Sequence, residues 1–410
     1  MLRWFNAGED ERLYNGGTSE VDVVVVGGGP SGLYTARVLA QSGYGVALYE
    51  QSSEIGKDVV CSGVISAEAF ERFDLPDDSV VGTLREAELL SPSGLTLLYD
   101  HPRPAAYVVD RHAFDGALGE FASSAGARIV LGTRVTGIEV CGDRVEVRTT
   151  STSGKGRVSA KVVVIATGVN YRLQSQLGLG RPSRILKGVQ LEADFQTHDR
   201  LRLYFGNRFS KGFFGWAIPL ENGRTRIGVM TEGDAVRGFE NIFSELAGGK
   251  ISPRCACGVK RRGIAFGAIG KTFSKGVLVV GEAAGQIKTT TGGGIYWGII
   301  AAHHAAETIK LAFSAGDFSE KTLSEYEKRW RGELGSEISL GKHFHRFFSR
   351  LDDEGIDKLF DAAMEDGLLS FIAERGRFDW HLDAVIKILR SPNLRRVLLA
   401  GYLNGALSFG

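Results

Sequence analysis

Three glycines and one acidic residue follow two short apolar runs near the start of the chain. Gly27, Gly29 and Gly32 follow the apolar run 21–26, and Glu50 closes a second apolar run. The first run is short and rich in valine, which predicts a buried parallel strand. Glycines at this spacing allow a tight turn, close approach of the backbone to a pyrophosphate, and close packing of a helix on the strand. The pattern therefore predicts a strand, a phosphate-binding turn and a helix.

The helix is expected from about Pro30 to Gln41, with its N-terminal amides and the positive end of its dipole toward the phosphates. The carboxylate of Glu50 can accept hydrogen bonds from both hydroxyls of an adenosine ribose, and its charge disfavours a 2′-phosphate. A glycine triplet alone is weak, because the chain has 55 glycines. The ordered series of strand, glycines, helix, strand and acid is far more specific.

Later segments favour FAD over NAD as the dinucleotide. A strand at 276–280 is followed by Glu282, and the glycine run 292–294 is expected to open a helix. An acidic residue there can bind a ribityl hydroxyl, and the helix amides would face the negative end of an isoalloxazine. Arg111, in the segment 107–115, can reach the same region. An NAD dehydrogenase has no need of this distant site, whereas FAD spans the whole domain.

Three segments of the chain resemble the FAD-binding motifs of the aromatic hydroxylase-like flavoproteins. They are residues 27–50, 110–115 and 281–294. Glu282 departs from the pattern of that superfamily, in which most members carry aspartate, and its extra methylene shifts the carboxylate. The resemblance implies FAD as the cofactor and an antiparallel sheet that covers the reactive end of the flavin.

Further segments resemble the geranylgeranyl reductases within that superfamily. They are CSGVIS at 61–66, GWAIP at 215–219, TTGGGIY at 290–296, and the C-terminal pair GRFDW at 376–380 and RSPNL at 390–394. The likeness covers the chain from about residue 20 to 405. It implies hydride transfer from reduced FAD to isolated C=C bonds of a geranylgeranyl or other prenyl chain, carried on a lipid or a diphosphate.

The motifs and the resemblance together predict the residues of the site. The cofactor-binding residues are Gly27, Gly29, Pro30, Ser31, Gly32, Glu50, Gln51, Cys61, Ser62, Arg111, Val135, Ala166, Thr167, Gly168, Gly281, Glu282, Gly292, Gly293, Gly294 and Ile295. The substrate pocket contains Phe214, Trp216, Ile218, Pro219, Tyr296 and Trp297. The apolar strand at 214–219 suits a long hydrocarbon, although packing of a sheet on its core explains the same pattern.

Cys61 is the candidate catalytic residue. In the geranylgeranyl reductases the cysteine-bearing loop faces the flavin, so the resemblance implies that Cys61 lies near the reacting alkene, as a proton donor or as part of the pocket wall. A thiol with an ordinary pKa of about 8.5 is protonated at neutral pH and can donate. The alternative is a small buried hydrophobic residue, which is what a free cysteine usually is.

Two other clusters have open interpretations. Cys255 and Cys257 form a CxC pair that is structural, bridges to Cys61 in a redox reaction, or binds a metal. No second pair with ligand spacing accompanies them in the sequence, so no metal site is expected. The run Lys260-Arg261-Arg262 either receives a lipid phosphate or forms a solvated face.

The order of the motifs predicts an α/β fold with a discontinuous Rossmann-like FAD-binding domain, an antiparallel-sheet substrate domain and a helical C-terminal region. The expected ranges are 20–80, 103–170 and 264–312 for the FAD-binding domain, 81–102 and 171–263 for the substrate domain, and 313–410 for the helices, after a flexible extension at 1–19. The strands expected in the substrate domain are 86–90, 95–99, 188–195, 201–205, 213–220 and 224–230, where short runs alternate.

Composition narrows the class of protein. The formal charge of +1 gives no bulk field for nucleic acid, so no nucleic-acid partner is expected. Four cysteines suit a reducing compartment. Without an evident secretion signal or membrane span, the expected location is cytoplasmic, with peripheral membrane contact left open. The electron donor also stays open among NAD(P)H, a ferredoxin and another reductase.

Two alternatives to a prenyl reductase fit the same motifs. An FAD monooxygenase or halogenase would act with oxygen, and FGWAIP at 214–219 half resembles the halogenase pattern, which carries tryptophan where this chain has Phe214. A flavoprotein that binds prenyl lipids without turnover would consume no reductant. The segment TTGGG at 290–294 favours the reductase.

Overall fold

The computed structural model describes residues 5–6, 19–196, 198–248 and 258–407. The strands are β1 Phe5–Asn6, β2 Ser19–Val26, β3 Val46–Tyr49, β4 Val64–Ser66, β5 Val80–Leu84, β6 Glu86–Leu90, β7 Thr96–Asp100, β8 Ala106–Val109, β9 Arg128–Leu131, β10 Arg134–Cys141, β11 Arg144–Ser151, β12 Gly154–Ile165, β13 Arg184–Ala193, β14 Leu201–Tyr204, β15 Phe214–Pro219, β16 Thr225–Thr231, β17 Lys260–Phe266, β18 Phe273–Ser274 and β19 Val277–Val279. The helices are α1 Pro30–Gln41, α2 Ala67–Arg72, α3 Arg111–Ser124, α4 Arg172–Gln176, α5 Ala235–Leu246, α6 Ile295–Ala315, α7 Glu320–Phe348, α8 Asp353–Glu365, α9 Leu368–Arg375, α10 Leu382–Arg390 and α11 Pro392–Leu407.

A mixed sheet forms the cofactor side of the molecule. Its strand order is β1-β9-β3-β2-β12-β11-β10, with β19 parallel to β12 and β18 antiparallel to β19. Val23, Val24 and Val25 of β2 are fully buried. Val23 and Val25 pack with helices α1, α3 and α6, and Val24 packs with residues of β10 to β12, so neither face of the sheet is solvated at its centre. The carboxyl ends of β2, β3 and β12 therefore meet at one edge.

A second sheet, which we call the roof sheet, covers that edge. Its order is β17-β13-β16-β15-β14-β6-β7, and every pair is antiparallel except the parallel pair β14–β6. All six strands predicted for this region are present. β17 was not predicted, because its charged first half lacks alternation, and the predicted boundary at 263/264 falls inside it.

A three-stranded sheet, β4-β8-β5, lies between the two larger sheets. β5 pairs antiparallel with β8, so the predicted boundary at 80/81 cuts a strand that hydrogen-bonds to the FAD-binding segment. Ala106 and Val108 of β8 share a cluster with Ile218 of the roof sheet, and Ile65 of β4 and Val109 of β8 share the cluster of the cofactor side. The small sheet thus joins the two larger ones through apolar contacts.

Helices α7 to α11 complete the chain, as the C-terminal pattern predicts. Leu369 and Ile372 of α9 pack in one cluster with Leu89 of the roof sheet. None of the helices within the described residues is long and apolar enough to cross a membrane. The predicted extension 1–19 and the pair Cys255 and Cys257 lie outside the described residues, apart from 5–6 and 19.

Candidate functional site

The turn between β2 and α1 forms a cradle that only glycine can build at two positions. Gly27 has a φ of 113°, and a Cβ there would lie 2.4 Å from the carbonyl oxygen of Ala166. A Cβ on Gly32 would lie 2.1 Å from the carbonyl oxygen of Gly27. Gly29 has open space beside it and lines a cavity of about 950 Å³. The first and third glycines thus serve packing, and the second leaves room for a ligand at the start of α1.

The carboxylate of Glu50 is held in a fixed orientation at the edge of the cradle. Its Oε2 accepts a hydrogen bond from the amide of Gly28 at 2.7 Å, and its Oε1 accepts one from the amide of Ser52 at 2.8 Å. Each oxygen keeps a second lone pair. Because Glu50 lines the cavity, those lone pairs suit the ribose hydroxyls expected from the sequence.

The second glycine cluster, Gly292–Gly294, also lines the cavity. Gly292 has a φ of 74°, and α6 begins at Ile295 with Gly294 as its N-cap, three residues after the predicted start. The carboxylate of Glu282 forms an ion pair with Arg262 and accepts a hydrogen bond from the amide of Ala265 at 3.3 Å. Glu282 lines the cavity, as a ribityl-binding residue must, but its charge is already balanced by the roof sheet.

Arg111 is a cation in the same cavity, with a side chain that is 11% exposed. Its guanidinium forms two hydrogen bonds with the carboxylate of Asp115, at 3.0 and 2.8 Å, one turn along α3. The side chain of Asp115 is 2% exposed, so the pair is fixed in the core. Asp110 caps α3 by accepting from the amides of His112 and Ala113, and this places Arg111 at the first position of the helix.

The loop that carries Cys61 is held by side chains of the roof sheet. Gln190 donates to the carbonyl of Cys61 at 2.9 Å, Arg226 to the carbonyl of Ser62 at 2.5 Å, and Arg262 to the carbonyl of Val60 at 3.0 Å. Arg226 is 4% exposed and also pairs with Glu192 at 2.8 Å. The roof sheet thereby sets the distance between this loop and the cradle.

The electrostatic surroundings of Cys61 differ from the sequence-based expectation. Burial raises the pKa of the thiol, but the guanidinium of Arg111, a hydrogen bond from the amide of Gly63 and the charge of Arg262 outweigh it, so the pKa lies below the ordinary value. The expectation of an ordinary thiol pKa is therefore wrong. The two cations that lower the pKa, Arg111 and Arg262, come from distant parts of the chain, so the sequence around Cys61 does not reveal the shift.

One cavity of about 950 Å³ contains the cradle, the Cys61 loop and an apolar extension. The extension runs between the roof sheet and the C-terminal helices. Its apolar lining consists of Leu84, Ala87, Leu89, Leu201, Leu203, Phe214, Trp216, Ile218, Leu369, Ile372 and Phe378. These residues come from β5, from β6, β14 and β15 of the roof sheet, from α9 and from the segment that follows α9, which lie far apart in the sequence.

Most of the predicted site residues line this cavity. Those that do are Gly27, Gly29, Pro30, Ser31, Glu50, Gln51, Cys61, Ser62, Arg111, Val135, Ala166, Thr167, Gly168, Glu282, Gly292, Gly293, Gly294, Ile295, Phe214, Trp216 and Ile218. Gly32 and Gly281 pack behind it, against Gly27 and Ser31. Pro219 lies at the end of β15, outside the lining.

Tyr296 and Trp297 are core residues instead of lining the cavity. They are 4% and 1% exposed, and the hydroxyl of Tyr296 donates to Glu68 at 2.8 Å. α6 is apolar on most of its circumference, so the sequence does not reveal which face meets the cavity. Ile295, one residue earlier, is the one that lines it.

Several cavity-lining residues were not predicted as site residues. Gln190 lies in no motif, whereas Lys288 lies in the segment 281–294 and Phe378 in GRFDW at 376–380, where neither was named as a site residue. Arg262 lies in the basic run 260–262, for which a lipid-phosphate site stays a prediction and a solvated face fits Lys260 alone. Lys260 is exposed and 3.4 Å from Asp58, whereas Arg262 turns inward to Glu282.

Comparisons with known proteins agree with this architecture. Residues 21–190 match the pyridine nucleotide-disulphide oxidoreductase family. The digeranylgeranylglycerophospholipid reductase of Methanocaldococcus jannaschii is 32% identical over 365 residues, which cover 85% of this chain and 92% of that protein. This chain belongs to the digeranylgeranylglycerophospholipid reductase family. The expected resemblance to geranylgeranyl reductases is confirmed, and family membership with the matched domain makes the chain an FAD-dependent oxidoreductase.

Solved structures show that the reductase family shares its fold with oxygen-using enzymes. A geranylgeranyl bacteriochlorophyll reductase-like protein from Thermoplasma acidophilum superposes with a TM-score of 0.82 at 22% identity, covering 94% of this chain and all of that one. A p-nitrophenol 4-monooxygenase from Pseudomonas putida has a TM-score of 0.69 at 19% identity, covering 93% and 98%. These likenesses confirm the predicted fold class.

Proposed function

We propose that this protein saturates C=C bonds in the prenyl chains of a phospholipid. The apolar extension of the cavity carries the proposal, since one cavity contains the Cys61 loop and the apolar side chains of the roof sheet and α9. Each buried methylene contributes roughly 0.8 kcal/mol, so a long hydrocarbon binds such a surface strongly. The names of the relatives, which are reductases of digeranylgeranylglycerophospholipid, support the same substrate class.

The chain's own residues align the substrate and exclude water. Leu203, Trp216 and Phe378 confine the hydrocarbon between the roof sheet and the C-terminal segment. FAD, when bound and reduced, supplies the hydride. An isolated alkene offers no carbonyl to polarise, so the rate depends on alignment and on a nearby acid.

Cys61 is the proposed acid. Its lowered pKa makes the protonated thiol a stronger donor, and it also reduces the protonated fraction as the pH rises. The cations Arg111 and Arg262 take up the charge that remains on sulfur after the proton leaves. Their charges therefore stabilise the thiolate at this position in the cavity.

Two arginines at the open end of the cavity suit an anionic head group. Arg85 follows Leu84, and Arg377 precedes Phe378, and these two apolar residues belong to one cluster. Arg85 pairs with Asp100 and Arg377 with Glu68, but the arginine side chains are still 53% and 58% exposed, so their remaining donors can meet a phosphate in solvent while the apolar neighbours contact the hydrocarbon. A phospholipid head would stay outside while its prenyl chain enters.

An anaerobic single-turnover experiment tests the proposal. The holoenzyme is reduced with dithionite and mixed with a phospholipid that carries two geranylgeranyl chains, and flavin absorbance and product mass are followed. We expect reoxidation without oxygen and a gain of two hydrogens per reduced bond. A flavin that stays reduced until oxygen is admitted would support a monooxygenase or halogenase instead.

Two cysteine variants separate the acid from the rest of the site. Cys61→Ala is expected to slow reoxidation at least tenfold, since general acid catalysis contributes about 10²–10⁴-fold. Cys141→Ala removes an exposed cysteine at the end of β10 and is expected to change nothing. Equal rates in both variants would remove Cys61 from the chemistry and leave the proposed reduction standing.

A further inference from the structure

A buried lysine lies in the cavity wall beside the second glycine cluster. The side chain of Lys288 is 7% exposed and forms an ion pair with Asp379, whose side chain is 2% exposed. The amide of Lys288 donates to the carbonyl of Gly293 at 2.9 Å, and the amide of Gly292 donates back to the carbonyl of Lys288 at 2.8 Å. The lysine and the glycines therefore form one closed turn.

The ammonium of Lys288 lies against Gly293. A Cβ placed on Gly293 would be 2.5 Å from Cε and 2.9 Å from Nζ of Lys288. Lys288 and Gly292–Gly294 line the same cavity. The glycine turn is the part of the chain expected to face the isoalloxazine, so the cation lies at that end of the cofactor site.

Asp379 reaches Lys288 from the far end of the chain. It belongs to the segment 376–381, in which Phe378 and His381 line the cavity and the imidazole of His381 lies 2.5 Å from the hydroxyl of Thr290. The second carboxylate oxygen of Asp379 is buried and has no hydrogen-bond partner within the described residues. Within the described residues only one oxygen of this carboxylate is thus hydrogen-bonded, and its partner is Lys288.

We propose that Lys288 stabilises the negative charge that FAD gains on reduction, and that Asp379 is a positioning residue that also offsets part of this cation's charge. Two-electron reduction leaves negative charge on the pyrimidine ring of the flavin, and a nearby cation in a low-dielectric site favours that state. A carboxylate beside the cation weakens the same effect. The C-terminal segment would thereby tune the reducing power of the flavin.

Sulfite binding to the oxidised holoenzyme tests this directly and needs no prenyl substrate, so its result is independent of the proposed reaction. Sulfite adds to the flavin through a new S–N bond and leaves a negative charge on the same ring. We expect Lys288→Met to weaken sulfite binding at least tenfold and Asp379→Asn to tighten it at least threefold. Dye-linked reduction measures the midpoint potential separately, and a tenfold change in the equilibrium constant of two-electron reduction corresponds to about 30 mV.

The opposite directions of the two variants are the decisive result. A merely structural ion pair would make both variants change in the same direction, and either that outcome or no change would overturn the proposal. Lys271→Met, which removes an exposed lysine paired with Glu320, is the control and should match the wild type. If Lys288→Met retains no FAD, Lys288→Arg and Asp379→Asn carry the test, and weaker or unchanged binding in Asp379→Asn overturns it.

Discussion

Glu282 and Cys61 acquire their chemistry from residues far away in the sequence. Arg262 pairs with the carboxylate of Glu282 and also lowers the pKa of the Cys61 thiol. The guanidinium of Arg262 in the roof sheet therefore acts on both the Glu282 carboxylate and the Cys61 thiol. A substitution at Arg262 would alter two sites that no local motif connects.

The glycines of the cradle allow a prediction that separates packing from cofactor contact. Gly32→Ala should lower the free energy of unfolding of the apoprotein by about 1–3 kcal/mol, because its Cβ would meet backbone. Gly29→Ala should cost less than about 1 kcal/mol, since nothing lies within 4 Å, but it should raise the Kd for FAD at least tenfold. Urea unfolding and fluorescence titration with FAD measure the two effects.

The matched pair also contains its own control. Gly29→Ala reports on the cavity and Gly32→Ala on the strand–helix contact, although both lie within the same turn. A Gly29→Ala variant with unchanged FAD affinity would mean that the cofactor does not approach this part of the backbone. Equal losses of stability would contradict the division of roles between the two glycines.

At the level of elements, the Cys61 loop depends on β16. Arg226→Met removes donors to two carbonyls and a partner of Glu192, and it should lower the free energy of unfolding by about 2–3 kcal/mol. Arg202→Met removes a more exposed pair with Glu88, for which about 0–1 kcal/mol is expected. Urea denaturation of the two variants provides the comparison, and equal losses would contradict this dependence.

Local signals predict some elements well. Helix α1 has its expected bounds, since Gly29 precedes it and Pro30 occupies its first position. The strands of the roof sheet appear where short runs alternate. The cradle was predictable for the same reason, because its glycines, helix and acid lie within one stretch of chain.

Other features depend on contacts that the sequence does not display. β17 is not predictable from the sequence, because its first residues are charged and show no alternation of apolar and polar residues. Lys260 is exposed beside Asp58, whereas Arg262 turns inward to Glu282. The apolar helix α6 offers several faces, and packing against α1 and α7, with Trp380 and Phe73 beside Tyr296 and Trp297, selects the one that is buried. The ion pair of Lys288 joins residues 91 positions apart.

At the scale of the whole molecule, α7 connects the two large sheets. Its 29 residues span about 43 Å. In its first half Trp330 donates to Thr272 at 3.0 Å, and near its end the ring of His345 lies 4.3 Å from that of Phe213, directly before β15, and 4.7 Å from that of Phe266 in β17. The helix thus fixes the roof relative to the cofactor side.

The junction at His345 predicts a dependence of stability on pH. Burial and the charge of Arg184 lower the pKa of His345 to about 4, whereas the unfolded value is about 6.5. As pH falls from 6.5 toward 4, the unfolded chain binds the proton first, so stability present above pH 6.5 is lost, on the order of 3 kcal/mol. Urea unfolding at pH 7 and 4.5 measures the loss.

A histidine-free junction should lose part of this sensitivity. His345→Phe keeps an aromatic ring between Phe213 and Phe266 and should show a smaller fall in unfolding free energy between the two pH values. His343→Gln replaces an exposed neighbour and should behave as the wild type. An unaltered pH dependence in His345→Phe would assign the acid sensitivity to other groups, of which His381, also with a pKa near 4, is the first candidate.

The loop at Cys61 is fastened through backbone carbonyls of residues 60, 61 and 62, and every peptide unit offers a carbonyl whatever its side chain. The shape of the loop is therefore separable from the reactive group it presents. Evolution, or an engineer, can exchange the thiol for a carboxylic acid or an imidazole at this position and keep the same frame. A single substitution at residue 61 would then change the reactive group of the site while the backbone hydrogen bonds of the loop remain.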